Sequence, residues 1–180
     1  MNVGVVGIDL AGVELGYPIY PFIDMLKRGR DAGLYITLHA GEWDGAHSIW
    51  DAISFAGANR IGHGIRAVED AGVIEVLREN AIPLEVCPSS NVDSGVVTDY
   101  ASHQLPLLWD AGVKVTLNTD DPLVSGITLT DELVRVVERL PFTIDDIKKM
   151  TINAAEAAFL PENERRRLIR YFQQALFLQN

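Results

Sequence analysis

The chain has 180 residues, of which 48% are hydrophobic and 22% are charged, a composition typical of a globular domain. Its net charge of -10 excludes a predominantly basic surface of the kind that binds nucleic acid or anionic membranes. One cysteine, Cys87, excludes an intrachain disulfide and a cysteine-rich metal site. We therefore expect a single domain over residues 1–180, no nucleic-acid or membrane partner, and a cytoplasmic location, because the N-terminus lacks the charged region of a signal peptide.

Short apolar segments alternate with longer helical patterns along the chain, as expected for βα units. Strands are predicted at 3–10, 34–40, 60–64, 82–88 and 114–120. Helices are predicted at 18–31, 46–57, 68–80, 102–111, 128–140, 144–158 and 162–177. This alternation predicts parallel strands with right-handed crossovers, either in an open doubly wound sheet or in part of a (β/α)8 barrel. A whole barrel usually needs ~250 residues, which is more than this chain has.

Capping residues support these element boundaries. Gly33 and Gly112 each follow a predicted helix within an Asp-Ala-Gly sequence, where a left-handed cap is needed. Asn80 is predicted to take the same position before the fourth strand. Thr143 and Asp146 have the spacing of a capping box and predict the start of the next-to-last helix.

Polar residues cluster at one kind of position, the C-terminal end of a predicted strand. Four different strands contribute to this set, which comprises Asp9, His39, Glu42, His63, Asp120 and Asp121. In parallel α/β folds the carboxyl ends of the strands lie at one edge, where catalytic and binding sites are built. If these polar residues served only to stabilise the fold, they would not be expected to recur at the ends of four strands. The sequence therefore predicts a functional site at that edge.

The segment LHAGE places His39 at the end of an apolar strand and Glu42 after a turn that Gly41 allows. His39 suits either a metal ligand or a hydrogen-bonded core histidine. Glu42 suits either proton transfer between a water and a substrate or charge complementarity with the helix that begins near Ala46. The residues alone leave both pairs of alternatives open.

Two further strand ends carry comparable alternatives. In RIGHG, His63 lies between two glycines and suits either an imidazole that orients a metal-bound hydroxide or a turn histidine. In NTDDP, Asp120 and Asp121 are adjacent. A divalent cation would relieve their repulsion, with one aspartate binding the cation and the other hydrogen-bonding a substrate. The alternative is an aspartate N-cap before Pro122.

The first predicted strand ends in GIDLAGVE, which suggests two supporting roles. Asp9 suits a carboxylate that orients a metal ligand from behind. Gly12 exposes a backbone N–H that can donate to a bound molecule. The alternative is an ordinary loop between a strand and a helix.

The motifs GIDLAGVE, HAGE, RIGHG, EVCPSSN and NTDDP resemble those of the adenosine deaminase family in order and in spacing, and INAAEAAFLPENER resembles its C-terminal tail. The resemblance covers essentially the whole chain. It implies a TIM-type (β/α)8 barrel with one zinc ion at its C-terminal mouth. It also implies hydrolytic deamination of adenosine to inosine, with adenine or another adenosine-like nucleoside as the alternative substrate.

The resemblance also implies a role for each matched residue. His39 and Asp120 would be zinc ligands, and Glu42 would give a proton to the purine ring nitrogen N1. His63 would orient the zinc-bound hydroxide that attacks C6. The substrate would be a purine nucleoside, contacted at N7 and N3 by Asp121 and by the backbone N–H of Gly12.

The sequence departs from the family pattern at the metal. The family takes two further zinc ligands from a His-x-His at the end of its first strand, and the four histidines of this chain contain no such pair. We therefore expect the C-terminal part of the barrel, about five of its eight βα units, with zinc weakly bound or absent in this chain alone. Open barrel edges predict self-association or a complementing N-terminal half. The alternative is an inactive remnant that persists as an oligomeric module.

Overall fold

The computed structural model of the chain describes residues 4–177, and within them five strands form one sheet. The strands are β1 (Gly7–Leu10), β2 (Tyr35–Ala40), β3 (Arg60–His63), β4 (Leu84–Val86) and β5 (Val115–Leu117). Neighbouring strands are parallel, and the order across the sheet is β1-β2-β3-β4-β5. A doubly wound sheet reverses its strand order part-way, whereas a barrel adds each new strand beside the last. The described residues therefore have the strand order of a barrel segment, with β1 and β5 at its edges.

Helices follow the strands in chain order. Their bounds are α1 (Ile23–Asp31), α2 (Ala46–Asp51), α3 (Ala71–Glu79), α4 (Pro88–Asp93), α5 (Leu105–Asp110), α6 (Pro122–Ser125), α7 (Leu129–Arg139), α8 (Ile144–Ala157) and α9 (Glu162–Phe177). Short 3₁₀ segments cover Tyr20–Phe22, Ile65–Glu69 and Tyr100–Ser102, and a π-helical turn, Ala52–Ala56, extends α2. Within residues 4–177, none of these helices combines the length and the apolar character that crossing a membrane requires.

All five predicted strands are present but shorter than predicted, and residue 3 of the first prediction lies outside the described residues. Two short helices, α4 and α6, were not predicted. Helix α4 begins with proline and contains serines, asparagine and aspartate, which are poor residues for a helix interior. Its Ser89 and Asn91 are fully buried, so contacts with the rest of the fold outweigh this low propensity.

Most of the predicted caps are confirmed. Gly33 and Gly112 have φ of 85° and 77°, in the left-handed region that glycine adopts without strain. Thr143 caps α8 in a reciprocal capping box with Asp146. Asn80 is the C-cap of α3 as predicted, but its φ is -91°, and the left-handed conformation falls on the following residue, Ala81, at φ of 50°.

The core lies between the sheet and the surrounding helices. Consecutive residues of β2, namely Ile36, Thr37 and Leu38, are at most 2% exposed, so this strand is covered on both faces, as is typical of parallel sheets. Leu26, Ile49, Leu77, Leu108 and Met150 pack into the same core from five different helices. Cys87, which directly follows β4, is buried, and among the described residues it is a free thiol.

Candidate active site

Four of the predicted site residues converge around one imidazole nitrogen, Nε2 of His63. It lies 3.2 Å from Nδ1 of His39, 3.5 Å from Oε2 of Glu42 and 3.9 Å from Oδ2 of Asp120. These residues come from the ends of β2, β3 and β5 and from the loop after β2. The sheet therefore gathers two imidazoles and two carboxylates at the carboxyl edge of its strands, where sites in such folds are built.

Backbone strain is concentrated at the same place. His63 and Asp120 have φ of 60° and 58°, and within residues 4–177 only one other non-glycine residue, Ala81, has a positive φ. A non-glycine residue in this region carries a steric cost, and such residues are often retained at functional sites. The strained backbone turns both side chains toward the cluster, and His63 is only 1% exposed.

The position of His39 depends on the glycine opposite it in β3. His39 pairs with Gly62 in the sheet register, and a Cβ added to Gly62 would lie 2.7 Å from Cδ2 of His39. The other side of the ring faces β1, where Nε2 of His39 is 3.8 Å from Oδ1 of Asp9. The Asp9 carboxylate raises the pKa of His39 above its ordinary value, so Asp9 supports His39 from behind.

Glu42 has a carboxyl group suited to exchanging a proton near neutral pH. Its side chain is 13% exposed, and burial, reinforced by the negative charge of Asp120, raises the pKa of Glu42 to about 7. Its Oε1 atom accepts a hydrogen bond from Nδ2 of Asn91 at 3.1 Å. Glu42 is therefore held in one orientation beside His63.

The loop that carries Glu42 is bound by a residue that the sequence analysis did not assign, Glu14. Its carboxylate lies on the loop after β1 and accepts hydrogen bonds from several groups of the β2–α2 loop. The donors are the backbone N–H groups of Gly41, Glu42, Trp43 and Asp44 and the hydroxyl of Ser48. Glu14 is the last residue of the motif GIDLAGVE, which was matched in the sequence without a role being given to this residue.

The EVCPSSN segment also holds residues that were matched to a motif without being given a role. The hydroxyl of Ser90 donates to Oδ2 of Asp120 at 2.6 Å. Asn91, which is fully buried, contacts Glu42 and also His63 and His103. Both residues lie on α4, and their roles depend on a helix that sequence patterns did not predict.

The two residues predicted to contact the substrate lie at the rim of the cluster. Asp121 is exposed, and its Oδ1 accepts from the backbone N–H groups of Leu123 and Val124, at 3.1 and 3.3 Å, so it caps α6. The structure thus shows the capping role that the sequence left as an alternative. Gly12 is exposed with φ of 136°, and together with His39 it lines a cleft of ≈ 400 Å³.

The residues that the structure describes do not complete a zinc site. Among residues 4–177, no group of three or more His, Cys, Asp or Glu side chains is arranged to hold a metal ion. A catalytic zinc usually takes three protein ligands and keeps one open position. The imidazole of His39 and the carboxylate of Asp120 are donors of the right chemistry, but they supply only two.

Comparison with known proteins agrees with the motifs and the strand order. The family model described as Adenosine deaminase matches residues 1–175. The chain belongs to the adenosine deaminase family. The adenosine deaminase of Shewanella loihica is 45% identical over 163 residues, which cover 91% of this chain and 49% of that protein. The chain thus spans about half the length of the curated relatives it matches.

Solved structures of two deaminases share the fold. An adenine deaminase from Arthrobacter aurescens superposes with a TM-score of 0.90 at 32% identity, over 94% of this chain and 52% of that one. The N6-methyl-AMP deaminase of Arabidopsis thaliana gives a TM-score of 0.84 at 29% identity, over 96% of this chain and 50% of that one. The five parallel βα units are therefore the C-terminal part of a TIM-type barrel, and the prediction of that fold is confirmed.

Proposed function

We propose that this chain carries the proton-transfer part of a hydrolytic purine deaminase, with Glu42 and His63 as its catalytic residues. The supporting observation is the convergence of Glu42, His39 and Asp120 on Nε2 of His63. Membership of the adenosine deaminase family supports the same reaction class. In this reaction water adds to C6 of the purine, the bond from C6 to the amino nitrogen breaks, and ammonia leaves.

Glu42 moves the protons of the reaction. A carboxyl group with a pKa of about 7 is present in both protonation states at neutral pH. The protonated form gives its proton to the purine ring nitrogen N1, which makes C6 a better electrophile. The resulting carboxylate then accepts a proton from the attacking water and passes it to the amino group, which leaves as ammonia. The proton of the new C6 hydroxyl returns to Glu42 as the C6 oxo group forms, so that charge does not accumulate on the ring.

His63 orients the attacking water. Its Nε2 faces the acceptors of the site from a fully buried ring, and the strained backbone at φ of 60° fixes its direction. Gly12 and Asp121 contact the purine from the rim, Gly12 through its backbone N–H at N3 and Asp121 at N7. Both hydrogen bonds by which Asp121 caps α6 use Oδ1, which leaves Oδ2 to face a ligand.

Zinc is the cofactor proposed for the complete protein, with His39 and Asp120 as the ligands that this chain contributes. Family membership and the donor chemistry of the two side chains support this assignment. Since two ligands fall short of the usual three, zinc binding requires donors from outside these residues. The proton-transfer steps above involve only the side chains of this chain.

The open edges of the sheet are proposed to pair with further barrel strands. Edge strands present unpaired N–H and C=O groups that favour association, and β1 and β5 are both edges. Apolar side chains are exposed beside them: Leu123 and Val124 are 93% and 82% exposed after β5, and Val5 and Val6 are about half exposed before β1. Sedimentation of the isolated 180-residue chain tests this proposal. We expect oligomers, and a well-folded monomer would contradict it.

Adenosine is the proposed substrate, because the curated relatives at 42% to 45% identity are adenosine deaminases. Adenine is the second candidate, because the similar structure from Arthrobacter aurescens is an adenine deaminase. The test compares kcat/KM for hydrolysis at C6 by the zinc-loaded, full-length protein, read as ammonia release from adenosine and adenine and as methylamine release from N6-methyl-AMP. Faster turnover of adenosine is expected. Release of no amine from any of the three would favour an inactive remnant and contradict the proposal.

A further inference from the structure

We propose that His103 and Asn91 are positioning residues that together fix the tautomer of His63, so that His63 presents an Nε2–H to the site. We call the chain of hydrogen bonds from His103 through Asn91 to His63 the relay. Its role in catalysis rests on the proposed function. The assignment of the protons rests on hydrogen-bond geometry, supported by the burial of His103, and can be tested without any measurement of activity.

The relay begins at a backbone amide whose donor role is fixed. The N–H of Leu105 donates to Nδ1 of His103 at 2.9 Å, so this ring nitrogen carries no proton. His103 is 4% exposed, and burial lowers the pKa of its imidazole to about 4. The ring is therefore neutral at pH 7, and its single proton lies on Nε2.

The proton on His103 then sets the orientation of the Asn91 side chain. Nε2 of His103 lies 3.3 Å from Oδ1 of Asn91, and only the oxygen of the amide can accept this N–H. The two ends of an asparagine amide have almost the same shape, so packing alone does not distinguish them. The hydrogen bond from His103 therefore fixes the orientation of the Asn91 amide and directs Nδ2 away from His103.

The amide nitrogen of Asn91 meets two groups of the site. Nδ2 lies 3.2 Å from Nδ1 of His63 and 3.1 Å from Oε1 of Glu42. Both of its protons thus have acceptors, and Asn91 is fully buried, so water does not compete for them. Since Nδ1 of His63 accepts, it carries no proton, and the proton of the neutral ring lies on Nε2.

The resulting tautomer suits the surroundings of His63. Its Nε2–H faces the carboxyl oxygen Oε2 of Glu42 at 3.5 Å. The opposite tautomer would set an N–H on Nδ1 against the N–H of Asn91. The same Asn91 amide orients the Glu42 carboxyl, so one side chain aligns both proposed catalytic residues.

The direct test is nitrogen-15 NMR of the histidine rings in the full-length protein labelled at histidine. Protonated and unprotonated ring nitrogens differ widely in chemical shift, so each tautomer is read directly. We expect both His63 and His103 to show a protonated Nε2 and an unprotonated Nδ1 at pH 7. A proton on Nδ1 of either ring would overturn the relay.

The substitution Asn91→Asp keeps the shape of the side chain and removes its N–H groups. Nδ1 of His63 then has to become the donor, so we expect its nitrogen-15 shift to change to that of a protonated nitrogen. An imidazole in the wrong protonation state with intact geometry loses catalytic power. We expect kcat to fall about 10- to 100-fold, with a smaller change in KM. Unchanged His63 shifts in this variant would overturn the proposal.

The matched control is Asn80→Asp. The Asn80 amide donates to the carbonyl of Val76 at the exposed end of α3, so this variant makes the same chemical change far from the site. We expect its histidine shifts and its kcat to equal those of the natural protein. Equal effects of the two substitutions on kcat would show that added charge, rather than the relay, is responsible.

Two substitutions of His103 separate its relay role from simple packing. His103→Gln retains an N–H that can reach Oδ1 of Asn91, and we expect it to keep the natural His63 shifts and most of kcat. His103→Leu fills the space without a donor, and we expect mixed His63 tautomers and a lower kcat. If His103→Leu kept both the His63 tautomer and kcat unchanged, His103 would have no part in the relay.

Correct tautomers in a protein that releases no ammonia would instead refute the proposed function and leave the relay standing.

Discussion

The carboxylate of Glu14 accepts the backbone N–H of Glu42 at 3.0 Å, across a separation of 28 residues. The same carboxylate accepts three neighbouring N–H groups of the β2–α2 loop and the hydroxyl of Ser48. A tight turn leaves several N–H groups directed to one side, and a charged acceptor satisfies them together. The loop that presents the proposed proton carrier is therefore held in place from β1, and its shape depends on Glu14.

The substitution Glu14→Gln tests this dependence. Glutamine offers one acceptor oxygen in place of two and turns an NH₂ group toward N–H donors, so part of the loop loses its acceptor. We expect the free energy of unfolding to fall by about 1–3 kcal/mol, the usual cost of buried polar groups left unsatisfied. We also expect kcat to fall as Glu42 is displaced. Urea unfolding and ammonia release, measured on the full-length protein, check the two effects.

Glu69→Gln is the matched control for that experiment. Oε1 of Glu69 lies 2.8 Å from Nη2 of Arg66 in an exposed pair three residues apart. Exposed ion pairs of this kind contribute about 0–1 kcal/mol, so little change in unfolding and none in kcat is expected. If both variants lost the same stability, the carboxylate of Glu14 would have no special role in the loop.

Glu42→Gln and Asp120→Ala separate proton transfer from metal binding. The glutamine keeps the shape of Glu42 and can still accept from Asn91, but it cannot exchange a proton. We expect kcat to fall about 10²–10⁴-fold, the usual value of general acid–base catalysis, while bound zinc is retained. Asp120→Ala should lose zinc as well as activity. Zinc content by atomic absorption checks this, and equal retention in both variants would contradict the role proposed for Asp120.

Sequence patterns located the strand ends, and with them the cluster of His39, Glu42, His63 and Asp120. This succeeded because parallel strands joined by helices place all their carboxyl ends at one edge, so position along the chain translates directly into position in space. Glycine also helped: Gly62 is required beside the ring of His39. The order of the five strands likewise follows the order of the βα units.

The supporting residues were not predictable in the same way. Glu14, Asn91 and His103 contact the site through hydrogen bonds that join separate segments of the chain, and no local pattern encodes such pairings. Asn91 lies on α4, a helix of weak helix formers that depends on tertiary contacts. The sequence also left open whether Asp121 is a cap or a ligand, because an aspartate before a proline satisfies both patterns.

Asp121→Asn distinguishes these two roles. Asparagine caps a helix about as well as aspartate, so the bonds to the N–H groups of Leu123 and Val124 should persist. We expect the free energy of unfolding to stay within about 0.5 kcal/mol, as for most exposed substitutions. A purine contact through the carboxylate should instead weaken, which raises KM. If Asp121→Ala lost stability while Asp121→Asn kept both stability and KM, the residue would act as a cap alone.

Burial of His103 predicts a loss of stability in acid. Its pKa is lowered to about 4 in the folded chain, against about 6.5 in an unfolded one. As the pH falls from about 6.5 to about 4, the unfolded state therefore binds this proton first, and folding is progressively weakened, by up to about 3 kcal/mol. His103→Gln removes this titration. The free energy of unfolding, measured with urea, should therefore fall less between pH 7 and pH 4.5 in this variant than in the natural protein.

His47→Gln is the control, because the His47 side chain is 68% exposed and has little burial to lose. If His103→Gln and the natural protein lost equal stability on acidification, burial of the neutral ring would not be the cause.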